Sequence, residues 1–263
     1  MTRGSQEKVH AELVESRAVP VDGVFNFRDV GGLPRTGTDE PIIRGVLYRS
    51  DDLGWISGPG VETIEALGIK TVIDLRTSME RADFPSPFDA HPHIRLIDIN
   101  LAGDPIEDAP SVPGEEYPIV RTARIYWSWL IDRPEYLSRL FRALVQPAAT
   151  PAVFHCVGGK DRTGMVAALI QSLLGTPRQI IVADYVLSAR NNGQRILDGF
   201  DPMGRDWGFE TVDEFQAKYC PPETMHIVLM LIEACYGSAE GYLSEIGVPS
   251  AEMDQLRNLL TKR

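Results

Sequence analysis

The sequence predicts an α/β fold, a largely parallel central sheet flanked by helices, on two observations. Short β-branched runs, TVIDLR (71–76), IRLIDIN (94–100) and PAVFHC (151–156), alternate with helical stretches, the pattern of strands joined by crossover helices. The last of these strands runs straight into a glycine turn and then an apolar helix, TGMVAALIQSLLG.

The elements follow in order. Residues 1–20 are a polar arm or short helix ending before Pro20, and 21–263 form a single domain. FNFRDVGG (25–32) and IIRGVLYRS (42–50), separated by the polar turn RTGTDE, read as a strand and hairpin region with polar residues at its ends. Ser57 caps a helix running to about Leu67, stopped by Gly68. After a Gly/Pro/acidic loop at 102–118, a helical region spans about Val120 to Val145 with a break at Pro134. The helix after Arg162 is apolar on nearly every face, hence buried, and ends at Gly175. Thr176 and Pro177 read as the cap and first turn of the next helix. The stretch at about 196–222 mixes Gly, Pro and aromatics. It is either a helical lid, with Phe200, Met203, Trp207, Phe209 and Phe215 as its apolar face, or aromatics packed on the core. Amphipathic helices close the chain from 223 onward.

Composition excludes several functions. A net charge of -11 argues against nucleic acid and anionic membranes as partners, because both attract basic surfaces. No run approaches the roughly 20 apolar residues of a membrane span, and the polar N-terminus lacks a secretory core. The expected compartment is the cytoplasm, with export by a non-classical route as the alternative. The three cysteines, Cys156, Cys220 and Cys235, form no CxxC pair, so neither a disulfide framework nor a metal site is expected. Cys220 and Cys235 are expected to be core thiols. No cofactor is implied, and a monomer is expected.

Chemistry concentrates in HCVGGKDRTG, residues 155–164. A loop of this composition between strand and helix turns successive backbone N–H groups inward, and the helix dipole adds positive potential, so the loop is a nest for a phosphate. Gly158 and Gly159 allow the tight backbone; Val157, Lys160 and Asp161 complete the cradle; Arg162 can grip two phosphate oxygens. The same field favours the thiolate form of Cys156, a nucleophile beneath a bound electrophile. A Walker nucleotide loop does not fit: Phe154 stands where its first glycine belongs, and Asp161 follows the lysine in place of Ser or Thr.

HCVGGKDRTG resembles the Cys-x5-Arg signature of cysteine-dependent phosphatases, and specifically the bacterial tyrosine/lipid phosphatase family with an HCxxGKDRTG loop. FNFRDVGG, LYRSDDL (47–53), VIDLRT (72–77) and YGSAEGYLSEIGV (236–248) resemble other blocks of that family. The resemblance implies a protein-tyrosine-phosphatase-like fold and a cysteinyl-phosphate intermediate. Substrates would be phosphorylated proteins, on tyrosine and also serine or threonine, or phosphoinositides, with inorganic phosphate as product.

Cys156 is then the nucleophile, and Arg162 stabilises charge on the equatorial oxygens. Thr163 either donates to the sulfur or caps the helix, and His155 orders the loop. The general acid is Asp161, as resemblance to phosphoinositide phosphatases with Asp before the Arg implies, or else Asp74, Asp98 or Asp29. Asp132, at a helix junction about where many relatives carry an acid loop, has no acid-loop character. Asp74 has the alternative of pairing with Arg76. Lys160 either favours a second phosphate on the substrate or is simply solvated. Arg28, Arg49 and Arg76 either line the pocket or form structural ion pairs. The alternative in a different class is a phosphoprotein- or phosphoinositide-binding module without useful catalysis, against which the intact Cys156 and Arg162 argue. Other thiolate chemistry on oxyanions, such as arsenate reduction, needs a resolving thiol near the site, and neither other cysteine is near in sequence.

Overall fold

The computed structural model describes residues 10–104 and 118–262. The first nine residues of the expected arm and positions 105–117 of the expected acidic loop lie outside the described residues.

Five strands form one sheet: β1 (Arg28–Asp29), β2 (Leu47–Ser50), β3 (Thr71–Asp74), β4 (Arg95–Asp98) and β5 (Ala152–His155). Their order is β1-β2-β5-β3-β4. β5 pairs in parallel with both β2 and β3, and β4 adds in parallel to β3. Only β1 is antiparallel, at the edge beside β2. The strand nearest the glycine turn is therefore central. Its last residue, His155, aligns with Ser50 of β2 and Asp74 of β3, so three carboxyl ends open onto one crevice, where ligands of parallel sheets bind.

Every residue of β2, β3 and β5 is buried, as befits parallel strands covered on both faces. Side-chain alternation assigns the two faces. Tyr48, Val72 and Val153 pack with Leu53, Ile64 and Phe88 in a smaller core on one side. Leu47, Ile73 and Phe154 enter the larger core on the other, built against the helices of the C-terminal half.

Residues 10–15 are helical, and after them comes α1 (Gly58–Ala66), where the Ser57 side chain accepts from the Gly60 N–H as expected. In α2 (Ser78–Asp83) a reciprocal capping box joins Thr77 and Glu80. α3 (Pro118–Asp132) and α4 (Pro134–Leu144) are separated at Arg133, the break expected at Pro134. α5 (Asp161–Leu173) is buried at every position but Asp161 and Ser172. The remaining helices are α6 (Arg178–Leu197), α7 (Val212–Tyr219), α8 (Pro222–Tyr236), α9 (Ala239–Glu245) and α10 (Ser250–Thr261).

Two details, at Thr176 and Cys235, differ from the sequence expectation. Thr176 does not cap α6; Pro177 holds the cap position and the Thr176 hydroxyl is buried without a partner. Within the expected arm, Val14 lies in the larger core and Arg17 is fully buried. Cys235 is exposed, because it falls on the outer side of α8, while Cys220 is buried. In the 196–222 stretch only α7 is a helix beyond the end of α6. Its Phe215 is buried, in ring contact with Trp207, Phe209 and Tyr219. Those aromatics therefore pack on the core.

One buried carboxylate organises the floor of the crevice. Asp184 of α6 receives Arg17, Arg28 at 2.8 Å and Arg49 at 2.6 Å, and Gln171 at 2.8 Å. Burial alone would raise its pKa, but the three guanidinium groups hold it well below the usual carboxylate range. This is the ion-pair reading of Arg28 and Arg49. Removing one partner of a buried ion pair leaves uncompensated charge. Asp184→Asn is expected to lower the unfolding free energy by about 3–5 kcal/mol, read as a shift in the urea midpoint.

Candidate active site

The chain leaves β5 at Cys156 and enters α5 at Asp161, and the turn between them is tied down by its carbonyls. Val157 O accepts from the Asp52 N–H at 3.0 Å. Gly158 O accepts from Asn192 Nδ2 at 2.7 Å and Asn26 Nδ2 at 3.0 Å. Gly159 O accepts from Arg49 at 2.9 Å and Asn26 Nδ2 at 3.2 Å. These carbonyls are committed to the scaffold, while the N–H groups of the turn are not. Among the described residues, no hydrogen bond uses a backbone N–H from Val157 to Thr163 as donor. Donors that must be satisfied are thus gathered at the positive end of α5, an anion site built from backbone alone.

Gly159 is irreplaceable on two counts. Its φ is +60°, and a Cβ there would lie 2.5 Å from Ser50 O and 2.6 Å from Asp51 N. The loop thus rests directly on the end of β2.

Cys156 is buried at the start of the loop and Arg162 nearly so at its end. Arg162 donates to Glu80 through two nitrogens, at 2.5 and 2.8 Å, and to Leu75 O at 3.3 Å. Burial acts against the charge of Arg162, yet the field of Cys156 and the Glu80 carboxylate raise its pKa above the ordinary value. Glu80 also accepts from the Thr77 N–H, so the capping box of α2 orients the carboxylate that orients Arg162. Burial alone would favour the protonated acid, but Arg162 and Thr77 hold Glu80 below its usual range.

Asp161 stands at the first position of α5. Its Oδ1 accepts from the Tyr126 hydroxyl and lies 3.3 Å from Lys160 Nζ. Its Oδ2 enters no hydrogen bond among the described residues, and its side chain is 36% exposed. One oxygen is anchored and the other is open. Lys160 Nζ donates to Tyr219 O at 2.6 Å, so its amine is engaged by α7 and Asp161 rather than freely solvated. Burial opposes the charge on Lys160, but Asp161 and other neighbours raise its pKa.

A model of the tyrosine phosphatase family matches residues 19–262. The chain belongs to that family. It is 29% identical over 218 residues to a tyrosine-protein phosphatase of Nostoc commune, covering 80% of this chain and 72% of that protein. It is also 29% identical over 280 residues to the triple specificity protein phosphatase PtpB of Mycobacterium tuberculosis, covering 90% of this chain and 97% of that protein. Among solved structures, the catalytic core of the PP-IP phosphatase SIW14 from S. cerevisiae is similar at 18% identity and TM-score 0.38, covering 70% of this chain and 88% of that one. P. aeruginosa TpbA matches at 18% identity and TM-score 0.33, covering 81% and 84%.

In this phosphatase the other candidate acids sit elsewhere. Asp74 is fully buried and bound by Arg76 through its side chain at 2.7–3.0 Å and its backbone N–H at 2.9 Å. This is the Arg76 pairing, and enclosure separates Asp74 from an incoming leaving group. Asp98 is half exposed at the edge strand near Arg81, Asp29 accepts from the Gly31 and Gly45 N–H groups, and Asp132 is exposed at the end of α3. Thr163 makes neither expected contact; its hydroxyl is buried with no hydrogen-bond partner, and the cap position of α5 is Lys160.

Sequence reasoning missed Glu80, Tyr126, Asn26, Asn192 and Asp184. Only Glu80 had a local signal, the T-x-x-E capping box of Thr77 to Glu80. The others meet the loop across 25 or more residues of chain, and nothing local marks them.

His155 lies beneath the loop, fully buried, its Nδ1 3.5 Å from the Leu53 N–H and its Nε2 3.7 Å from Asp74. Burial lowers its pKa to about 4, so it is neutral and orders rather than transfers protons. Asp52 pairs with Arg76 at 2.7 Å, yet burial raises its pKa to about 7. The two shifts oppose each other in linkage. Between about pH 6.5 and 4 the unfolded chain binds a proton at His155 that the native state refuses, so acid destabilises. Over the same range native Asp52 holds a proton that the unfolded chain has lost, which offsets the loss. Asp52→Asn removes the offset and is expected to make the unfolding free energy fall more steeply between pH 6.5 and 4, by up to about 1.4 kcal/mol per unit, in denaturant titrations across pH.

Proposed function

We propose that the enzyme hydrolyses phosphotyrosine through a cysteinyl-phosphate, without a metal, with breadth toward phosphoserine, phosphothreonine and phosphoinositide headgroups. The observation that carries this reading is the tethering of the 157–159 carbonyls to the scaffold, which leaves the backbone N–H groups between Cys156 and Arg162 without a partner among the described residues. A phosphoryl group held there has a sulfur on one side and, at its equatorial oxygens, donors that need no reorganisation as charge develops.

In the first step the Cys156 thiolate attacks phosphorus, the P–S bond forms and the bond from phosphorus to the tyrosine oxygen breaks. Asp161 gives its proton to the departing phenolate. The anchored Oδ1 and open Oδ2 support this role, because Tyr126 fixes the carboxyl while one oxygen stays available. In the second step water attacks phosphorus as Asp161 takes one of its protons, the P–S bond breaks, and inorganic phosphate leaves. Arg162, held by Glu80, is the clamp throughout, and His155 supports the loop from below. The breadth draws its support from the relatives, one of which is named a triple specificity phosphatase.

The test is hydrolysis of p-nitrophenyl phosphate and of phosphotyrosine in EDTA. Wild type is expected to turn over both, and Cys156→Ser neither. Undiminished turnover by that variant, or phosphate binding without turnover by wild type, overturns the reading. Asp161→Asn is expected to lower kcat on phosphotyrosine by about 10²-fold or more, and less on the nitrophenyl ester, whose leaving group departs readily unprotonated. Equal losses on the two esters would remove Asp161 from the acid role.

A further inference from the structure

Six arginines of the described structure are buried: Arg17, Arg28, Arg49, Arg76, Arg162 and Arg195. Five of them touch a carboxylate. Arg195, 5% exposed, makes no ion pair among the described residues. Its Nε and one terminal nitrogen are buried with no hydrogen-bond partner, and its other terminal nitrogen reaches only Asn192 Oδ1, at 3.5 Å.

Rings surround the guanidinium instead. It lies 4.9 Å from the Trp55 ring centre, 5.7 Å from Phe200 and 5.9 Å from Phe25, and these rings also contact one another. Cation–π contact recovers part of the lost hydration but leaves the N–H groups unsatisfied. None of the nearby acids forms an ion pair with Arg195 among the described residues, although Asp52 Oδ2 is itself buried without a partner. Asp51 accepts from the Phe25 and Asn26 N–H groups, Asp52 from Arg76, and Asp201 from Met203, Arg205 and Trp207. Asn192, the partner of Arg195, is the residue that holds Gly158 O. The unmatched cation therefore sits one side chain from the Cys156–Arg162 loop.

The geometry points to a second anion subsite, formed by Arg195 within the Phe25, Trp55 and Phe200 rings, that takes the carboxylate of an Asp or Glu flanking the phosphotyrosine of a peptide substrate. It rests on the phosphotyrosine reading above. Phe25 and Phe200 are 41% and 36% exposed and the neighbouring Leu197 43%, an apolar rim that a peptide covers and a polyphosphorylated polyol leaves bare. Lys160, the other candidate for a second anionic group, is already held by Tyr219 and Asp161.

The test measures kcat/KM on phosphotyrosine peptides carrying a single Glu or its neutral isostere Gln at each of the three positions on either side. Free phosphotyrosine and a soluble bisphosphorylated inositol lipid serve as references. Wild type is expected to prefer Glu to Gln at one or two positions by about tenfold, the size of one charge-assisted contact. That ratio is expected to fall to about one in Arg195→Gln and to persist in part in Arg195→Lys. Because each variant is its own reference, a general loss of activity does not move the ratio. A wild-type ratio near one at every position, an undiminished ratio in Arg195→Gln, or a selective loss by that variant on the inositol lipid alone would overturn the proposal. Failure of wild type to hydrolyse free phosphotyrosine would instead overturn the reading on which it rests.

Discussion

Three guanidinium groups meet one carboxylate beneath the loop, and the position of nearly everything above depends on that meeting. Asp184 holds Arg49 through one terminal nitrogen, and the other terminal nitrogen of Arg49 holds Gly159 O. Arg28, on the same carboxylate, donates to the backbone and side-chain oxygens of Asn26, whose amide then holds Gly158 O and Gly159 O. The loop carbonyls are turned outward by a chain of contacts that begins at a buried charge. A surplus of cation below the loop also raises the potential at the N–H groups above it, so the same feature supplies shape and field. The desolvation of three arginines is a large cost, offset by pairing and put to use in presenting an anion site.

A second chain of contacts converges from the opposite side of the sheet. The capping box that starts α2 fixes Glu80, which fixes Arg162. Below it, Asp52, Arg76, Asp74 and His155 form a buried network joining the ends of β2, β3 and β5. Parallel strands bring these ends together without any sequence proximity, because register alone aligns Ser50, His155 and Asp74. The site is thus a product of topology, with backbone donors from one loop and side chains from three strand ends and two helices.

How much of this was legible follows from the range of each interaction. The strands of TVIDLR, IRLIDIN and PAVFHC, the cap at Ser57 and the break at Pro134 depend on neighbours in sequence, and the structure has them where the sequence pattern places them. The composition of HCVGGKDRTG likewise marks its loop, because glycines, lysine and arginine within ten residues constrain one another locally. Tyr126, Asn192 and Asp184 act on that loop from 25 to 35 residues away in the chain and Asn26 from more than 130, and their own surroundings look like ordinary helix or strand. The aromatics at 207–215 were ambiguous for the same reason, since only tertiary contact separates a ring that packs from a ring that covers. Thr176 shows the limit of a local rule: a threonine before a proline reads as a cap, but here burial takes its hydroxyl away from the helix.

The central claim is that backbone N–H groups from Val157 to Arg162 converge on one point above the sulfur of Cys156. A crystal structure of the wild-type enzyme with orthovanadate tests it directly. The account predicts vanadium bonded to Cys156 Sγ, equatorial oxygens ringed by those N–H groups and by Arg162, and the carbonyls of Gly158 and Gly159 still held by Asn26, Asn192 and Arg49. Vanadate bound away from Cys156, or a loop whose Gly158 and Gly159 carbonyls point at the bound anion, would contradict it.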